Sequence, residues 1–206
     1  AVRDIAIQHR ENDLVLGTFG RGFYVLDDYT SLRDVNADGL GDSPKLFVSR
    51  DALMFEKSAP LGLPGKSFQG DSYYTAENLG PVAMITYYLP ESVKTKKEVR
   101  QDKEKENRKE KTDNQYPSYD DLIAEVNESK PQILFSLKDA SGSVIRKLLT
   151  KPEKGVQRLQ WDLRFAPKDA ISLKKPAFYN PFAGKAEGTL VAPGTYTVKM
   201  SLVREG

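Results

Sequence analysis

Apolar and polar residues alternate along three short stretches at the start of the chain. The stretches read VRDIAIQ, DLVLGTF and GFYVLDD, and the segments ENDL and FGRG separate them. A two-residue period indicates β-strands, and polar or glycine-rich segments mark the points where strands reverse. We therefore predict a three-stranded antiparallel meander over residues 1–33. Three strands are too few to bury both faces of a sheet, so this segment needs partners from elsewhere.

The same alternation returns in the last third of the chain. Four stretches read QILFSLKD, GSVIRKLL, VQRLQWDLR and GTYTVKMSLV, and the turn-forming segments ASGS, KPEKG and VAPG lie between them. Together with the aromatic and β-branched stretch VAMITYYLP they predict about five strands, which is typical of a small β-sandwich. We assign this sandwich to residues 81–206, with Trp161 in its core.

Two segments lack the alternation. Residues 34–80 form a polar connection and an irregular loop, which we expect Phe68, Tyr73 and Tyr74 to anchor. Residues 94–129 form a charged insertion, because residues 94–115 contain Val99 as their single aliphatic core residue. Such a run stays solvated, as exposed helix or as disorder. Ser118 is a predicted N-cap of a short helix that follows.

Composition excludes several classes of function. The 206 residues suffice for one large or two small domains, and the net charge of +2 gives no field that would hold nucleic acid. The chain has no cysteine and one histidine, His9, which excludes disulfides, thiolate catalysis and two-histidine metal sites. No apolar run approaches the length of a membrane span. The chain starts without methionine, and we expect it to belong to a larger protein.

The glycines of the first turn do not match a nucleotide-binding or catalytic motif. Gly17, Gly20 and Gly22 have the wrong spacing for a dinucleotide fingerprint, and a strand pattern rather than a helix follows them. The turn also lacks the Gly-Lys-Ser/Thr ending of a phosphate loop and the serine of a nucleophile elbow. We interpret these glycines as residues of a hairpin turn, where glycine can adopt a positive φ or allow the backbone to approach closely.

The N-terminal stretch VRDIAIQHRENDLVLGTFGRGFYVLDDYTSLR resembles the last blade of the β-propellers in the sortilin-like, BNR-repeat "glycosyl hydrolase" family of exported bacterial proteins. Two positions depart from that family's pattern: Phe19 stands where histidine is common, and Arg10 stands where a proline commonly follows His9. Further along, GSVIRKL, GVQRLQWDLR and APGTYTVKM are similar to the immunoglobulin-like module of flagellar hook-capping proteins.

The resemblance implies an all-β chain: a terminal β-propeller blade fragment, then an immunoglobulin-like antiparallel β-sandwich with a charged, partly helical insertion. It implies an extracellular or periplasmic parent whose remaining blades are partners of this chain, with a glycan or protein as ligand. Two functions stay open. The chain is a non-catalytic region that closes the propeller and adds an accessory module, or it is part of a sialidase-like glycoside hydrolase built mainly by upstream blades.

Three residues are candidates for hydrolytic chemistry, namely Arg21, Asp27 and Asp28. Arg21 in the turn either binds a substrate carboxylate or makes a structural hydrogen bond to nearby carbonyls or aspartates. Asp27 and Asp28 are adjacent, so in a strand they point to opposite faces and do not flank one bond as acid and nucleophile. The structural alternative is that they end the strand, cap a turn or pair with Arg21 or Arg33.

The segment DVNADGLGD is a candidate calcium loop. Oxygen ligands recur in it at the spacing of such a loop, from Asp34, Asn36, Asp38, the carbonyl of Leu40, and Asp42. Gly39 stands where the loop turns sharply, but Lys45 replaces the glutamate that ends an EF-hand. The calcium hypothesis is therefore that of a shorter, nine-residue loop. The alternative is that Asp34 is an N-cap.

Overall fold

The computed structural model describes residues 1–35, 39–56, 79–168, 178 and 187–204. These residues are rich in strand and form three small antiparallel sheets. The strands are β1 (Val2–Gln8), β2 (Asp13–Thr18), β3 (Phe23–Leu26), β4 (Lys45–Leu46), β5 (Ala83–Leu89), β6 (Gln132–Lys138), β7 (Val144–Thr150), β8 (Gly155–Trp161) and β9 (Thr197–Val203). The helices are a 3₁₀ helix (Tyr29–Asp34), α1 (Lys96–Glu110) and α2 (Tyr119–Asn127).

The chain divides into two compact units. The first comprises Ala1–Tyr87 with Gln157–Leu163, and the second comprises Tyr88–Val156 with Arg164–Gly206. The first unit therefore combines the N-terminal meander with a segment that lies far along the sequence.

The predicted meander is confirmed. Strands β1, β2 and β3 are antiparallel neighbours in that order. Gly20 and Gly22 have φ of 75° and 71°, a left-handed conformation that glycine adopts without steric cost. The turn is closed by Thr18, whose backbone N–H and hydroxyl both donate to the carbonyl of Gly22, at 3.1 Å and 2.8 Å.

Register places six apolar residues on one face of this sheet. The cross-strand partners Ile5, Leu16 and Tyr24 lie side by side, and so do Ile7, Leu14 and Leu26. None of the six is buried: the two residues from β2 are half-buried, and Leu16 is flanked by a 59% exposed Ile5 and a 54% exposed Tyr24. The opposite face is also open, since Phe23 is 81% exposed.

The second sheet has the order β4-β5-β8. The buried apolar residues here, in the first unit, are Ile85, Tyr87 and Trp161 on the strands and Phe47 directly after β4. Tyr87 is buried whereas Tyr88 is half-buried, because neighbouring side chains of a strand point to opposite faces. Phe68, Tyr73 and Tyr74, the predicted anchors of the irregular loop, lie outside the described residues.

The third sheet has the order β7-β6-β9, and its central strand carries the core of the second unit. Ile133, Phe135 and Leu137 alternate with less buried residues and are at most 2% exposed. Alternation of this kind is what the sequence pattern predicted, because successive side chains of a strand point to opposite faces.

The charged insertion forms two solvated helices. Thr95 and Glu98 build a capping box at the start of α1, and Ser118 caps α2 as predicted. Arg100 joins the helices through a two-bond contact with Glu125, at 2.6 Å and 2.8 Å. Neither helix has a buried residue, so of the two predicted states this run adopts exposed helix. No helix in the described ranges is long and apolar enough to cross a membrane.

Candidate functional site: the polar corner around Asp28

A cluster of connected polar residues in the described part of the first unit lies where β3 ends. We call it the polar corner and define it by Glu11, Asp28, Arg50 and Arg158. At its centre Asp28 adopts φ 47° and ψ 77°, a left-handed conformation that is uncommon for a residue with a side chain. Aspartate tolerates it because its short carboxylate bonds to the local backbone.

Asp28 caps the 3₁₀ helix that follows. Its Oδ1 accepts hydrogen bonds from the backbone N–H of Thr30 at 3.3 Å and from the Thr30 hydroxyl at 2.5 Å. The residue is 6% exposed, so an unpaired carboxylate here would lose its hydration without replacement. These bonds compensate part of that loss.

The turn between β1 and β2 supports the corner from the other side. Asp13 accepts the backbone N–H of Asp28 at 3.0 Å, and the carbonyl of Asn12 accepts the N–H of Tyr29 at 2.7 Å. Arg33 donates to the side chain of Asn12 and to the hydroxyl of Tyr29, and its guanidinium lies 4.9 Å from the centre of the Tyr29 ring. The turn between β1 and β2 is thereby tied to the segment that follows β3.

Two arginines bring distant segments to the corner. Arg50 donates to the carbonyl and the carboxylate of Glu11, both at 2.7 Å, and its Nε lies 4.0 Å from Asp28 Oδ2. Arg158, on β8, donates a hydrogen bond from one guanidinium nitrogen to the carbonyl of Asp27 and from the other to the carbonyl of Asp28. The planar guanidinium suits this task because its donors are arranged as a fork.

The polar corner therefore holds segments of the chain together. Its guanidinium donors meet carbonyl and carboxylate oxygens of the chain itself, and the carboxylate of Asp28 meets Thr30 and Arg50. A general acid or nucleophile needs a carboxyl group that a substrate can reach. The side chain of Asp28 is 7% exposed.

The three hydrolytic candidates are not brought together as a site. Asp28 is buried in the corner, and Asp27 contributes its carbonyl. Arg21 is exposed on the turn and makes no hydrogen bond or ion pair within the described parts of the chain, so the structural bond expected for it is not seen there. His9 is exposed in the turn after β1.

Of the structural alternatives for the two aspartates, Asp28 shows capping and not pairing with Arg21 or Arg33. Neither Arg21 nor Arg33 pairs with Asp28; the arginines near it are Arg50 and Arg158. Sequence reasoning missed both. Arg158 stands in the strand VQRLQW, and 130 residues separate it from Asp28. Its only local signal is a charged residue in a strand, and such a residue does not indicate its partner.

The candidate calcium loop is described in part. Asn36 and Asp38 lie outside the described residues. Asp34 ends the 3₁₀ helix, whose N-cap is Asp28, so Asp34 is not an N-cap. Lys45 lies 3.5 Å from the Asp34 carboxylate, while Leu40 follows Gly39, which has φ 83°. Asp42 is exposed. The described ranges contain no group of three or more histidine and carboxylate side chains arranged to hold a metal.

Comparison with known proteins identifies no relative. No family model, no curated protein and no solved structure matches this chain.

Proposed function

We propose that this chain closes a β-propeller and adds an immunoglobulin-like module to it, in an extracellular or periplasmic parent protein. Its own role is non-catalytic: it stabilises the propeller, and the module binds a protein or a glycan. The remaining blades of the parent are its first partners.

The main support for this proposal is the uncovered apolar face of the meander. Ile5, Ile7, Leu14, Leu16, Tyr24 and Leu26 form a contiguous apolar face that is not buried. Monomeric proteins rarely leave such a face uncovered. In a propeller the blades are small sheets arranged radially, so that neighbouring blades cover both faces of each sheet. The exposure of Phe23 on the opposite face is consistent with a blade that has neighbours on both sides.

The second unit supports the immunoglobulin-like part. The Tyr196 hydroxyl donates to the carbonyl of Ala192 at 2.5 Å, just before β9 begins. A tyrosine near a strand start that bonds to backbone a few residues upstream is the tyrosine corner of immunoglobulin-like sandwiches. In that fold the corner marks strand F, which pairs with strand C, as β9 pairs with β6.

An interface variant tests the propeller. Ile5 is 59% exposed, so Ile5→Asp should change the stability of the 206-residue chain by no more than about 0.5 kcal/mol. In the parent, where a neighbouring blade covers the face, the same change should cost about 2 kcal/mol or more, since it buries an unpaired charge. Denaturant unfolding of both proteins measures the difference.

Arg10→Asp is the matched control, because Arg10 is exposed in the turn that follows β1. We expect it to have the same small effect in both proteins. Equal effects of Ile5→Asp in the chain and in the parent would show that nothing covers this face, and the propeller proposal would fail.

The glycoside hydrolase alternative is favoured by one observation, the exposed guanidinium of Arg21. If Arg21 binds a substrate carboxylate, Arg21→Ala in the parent should lower turnover of chromogenic sialosides by about a hundredfold. Asp27→Ala serves as a second probe, since its carboxylate makes no bond within the described residues. Unchanged turnover in both variants would remove these residues from any mechanism.

A further inference from the structure

The turn that joins β2 to β3 carries positive charge that the described parts of the chain do not neutralise. Arg21 stands in this turn, and the guanidinium of Arg3, on β1, lies 5.4 Å from the centre of the Phe19 ring. Both arginines are exposed, and neither makes a hydrogen bond or an ion pair within the described residues. Residues 14–26 contain no aspartate or glutamate. We call Arg3 together with residues 19–22 the basic turn.

The backbone of the basic turn adds hydrogen-bond donors. Gly20 and Gly22 have φ of 75° and 71°, whereas the residue before each of them has negative φ. In turns where φ alternates in sign, successive N–H groups can form a concavity, called a nest, that binds anions. In the described chain the N–H groups of residues 20–22 have no acceptor. In that same part of the chain, nothing beyond their sequence neighbours lies within 4 Å of the points where Cβ atoms of the two glycines would stand.

Phe19 adds an apolar surface beside these donors. The residue is 73% exposed, and Arg3 lies over one face of its ring. The negative potential of an aromatic face attracts a guanidinium, so this contact restrains the ring. A sugar ring presents C–H groups that pack against aromatic side chains, because both surfaces are apolar. The basic turn therefore combines two cations, free N–H groups and an aromatic ring.

We propose that the basic turn binds the carboxylate of an acidic sugar, with the sugar ring packed against Phe19. The fork of the Arg21 guanidinium matches a carboxylate, and the same carboxylate accepts hydrogen bonds from the free N–H groups of the turn. Arg3 adds a second positive charge. This inference rests on the glycan ligand of the function proposed above, and it assigns that ligand to the meander. It needs no hydrolysis and does not depend on the propeller.

Other anionic partners fit the basic turn less well. A nucleic acid strand presents a phosphate about every 3.4 Å along the helix axis, and two arginines match one anionic group rather than a row of them. A membrane surface takes up an apolar wedge, whereas Arg3 holds the Phe19 ring. The turn lies at the ends of β2 and β3, so a neighbouring sheet that covers the faces of the meander leaves the turn open.

Calorimetric titration of the 206-residue chain tests the proposal. Trigalacturonate is the uronate probe, and its methyl ester is the matched ligand, because esterification removes the negative charge and keeps the sugar rings. Sialyllactose and lactose form a second pair, which distinguishes a sialate from a uronate. We expect at least one acid to bind at least about tenfold more tightly than its uncharged counterpart, since charge-assisted hydrogen bonds are lost with the charge.

Two variants locate the binding at the basic turn. Arg21→Ala should raise the Kd of the bound acid about tenfold or more, because it removes the guanidinium fork. Phe19→Ala should raise this Kd about threefold through the loss of packing. Arg10→Ala is the matched control, since it removes the same charge from the exposed turn at the other end of β1 and β2. It should change the Kd by less than about twofold.

Several results would overturn the proposal. These are equal binding of an acid and its uncharged counterpart, equal effects of Arg10→Ala and Arg21→Ala, and no binding of either acid at about 10 mM. Tighter binding of a single-stranded oligonucleotide or of phosphatidylglycerol vesicles would assign the turn to another class of partner, which also overturns it. If no acid binds while Ile5→Asp acts differently in the chain and in the parent, this inference fails and the propeller stands.

Discussion

At the scale of single residues, Asp28 illustrates how one residue connects several segments of the chain. It caps the 3₁₀ helix through Thr30, lies near Arg50, and offers its carbonyl to Arg158. A buried carboxylate stabilises a fold only if its hydrogen bonds replace the lost water. The left-handed backbone at this position adds a preference for aspartate or asparagine over other side chains.

We predict that Asp28→Ala destabilises the first unit by about 2 kcal/mol, because it removes the cap and leaves the N–H and hydroxyl of Thr30 without this acceptor, while Arg50 keeps its bonds to Glu11. Asp28→Asn keeps the acceptor for Thr30 and should cost about 1 kcal/mol. Trp161, the single tryptophan, is buried in this unit, so its fluorescence during urea unfolding reports the change. Asp27→Ala is the control, at no more than about 0.5 kcal/mol. A loss from Asp27→Ala equal to that from Asp28→Ala would contradict the assignment.

The calcium hypothesis also belongs to this scale. If residues 34–42 bind calcium, chelation should lower the thermal midpoint of the chain, since a ligand of the folded state stabilises it. The ion pair of Asp34 with Lys45 weighs against the hypothesis, because it already neutralises one of the predicted ligands. Asp42→Asn should abolish the effect of the chelator. A midpoint that is unchanged by chelator would end the hypothesis.

At the scale of elements, the two insertion helices depend on charge pairs rather than on burial. The guanidinium of Arg100 lowers the pKa of Glu125, and hydrogen bonds from Lys105 and Lys94 lower the pKa of Asp102 to about 2. A carboxyl whose pKa is lowered in the folded state stabilises that state above its ordinary pKa. This stabilisation is lost as pH falls through the lowered pKa.

The contact between α1 and α2 should therefore weaken on acidification, as pH falls through the lowered pKa of Glu125. Amide chemical shifts of α1 and α2 follow the transition residue by residue. Glu125→Gln should weaken the contact between the helices already at neutral pH, because it removes the charge that Arg100 meets. Glu110→Gln, at the end of α1, is the control and should change little. Helix shifts that persist to pH 2 would refute this account.

At the scale of the whole molecule, the distribution of burial differs sharply between sheets. Strand β6 contains three residues that are at most 2% exposed, whereas β1 and β3 contain none that is buried. Local opening is easier where few apolar contacts must be broken. Sheet β1–β3 should therefore be the less stable of the two in the isolated chain.

Hydrogen exchange of the 206-residue chain checks this expectation. Amides of β2, which is bonded on both sides, should exchange at least about tenfold faster than those of β6, which is likewise a central strand. The comparison is matched because both strands have two partners. Equal protection of β2 and β6 would mean that burial does not set the stability of these sheets.

The sequence by itself determined the local structure of this protein. Period-two alternation located β6, the hydroxyl of Ser118 predicted a helix start, and Gly20 and Gly22 predicted a turn with positive φ. Each of these signals acts between residues that are close in sequence, so the chain shows them directly. Only the tertiary structure decided how the later strands divide between two sheets and that Arg50 and Arg158 meet at Asp28. Contacts over 130 residues depend on packing, for which no local pattern exists.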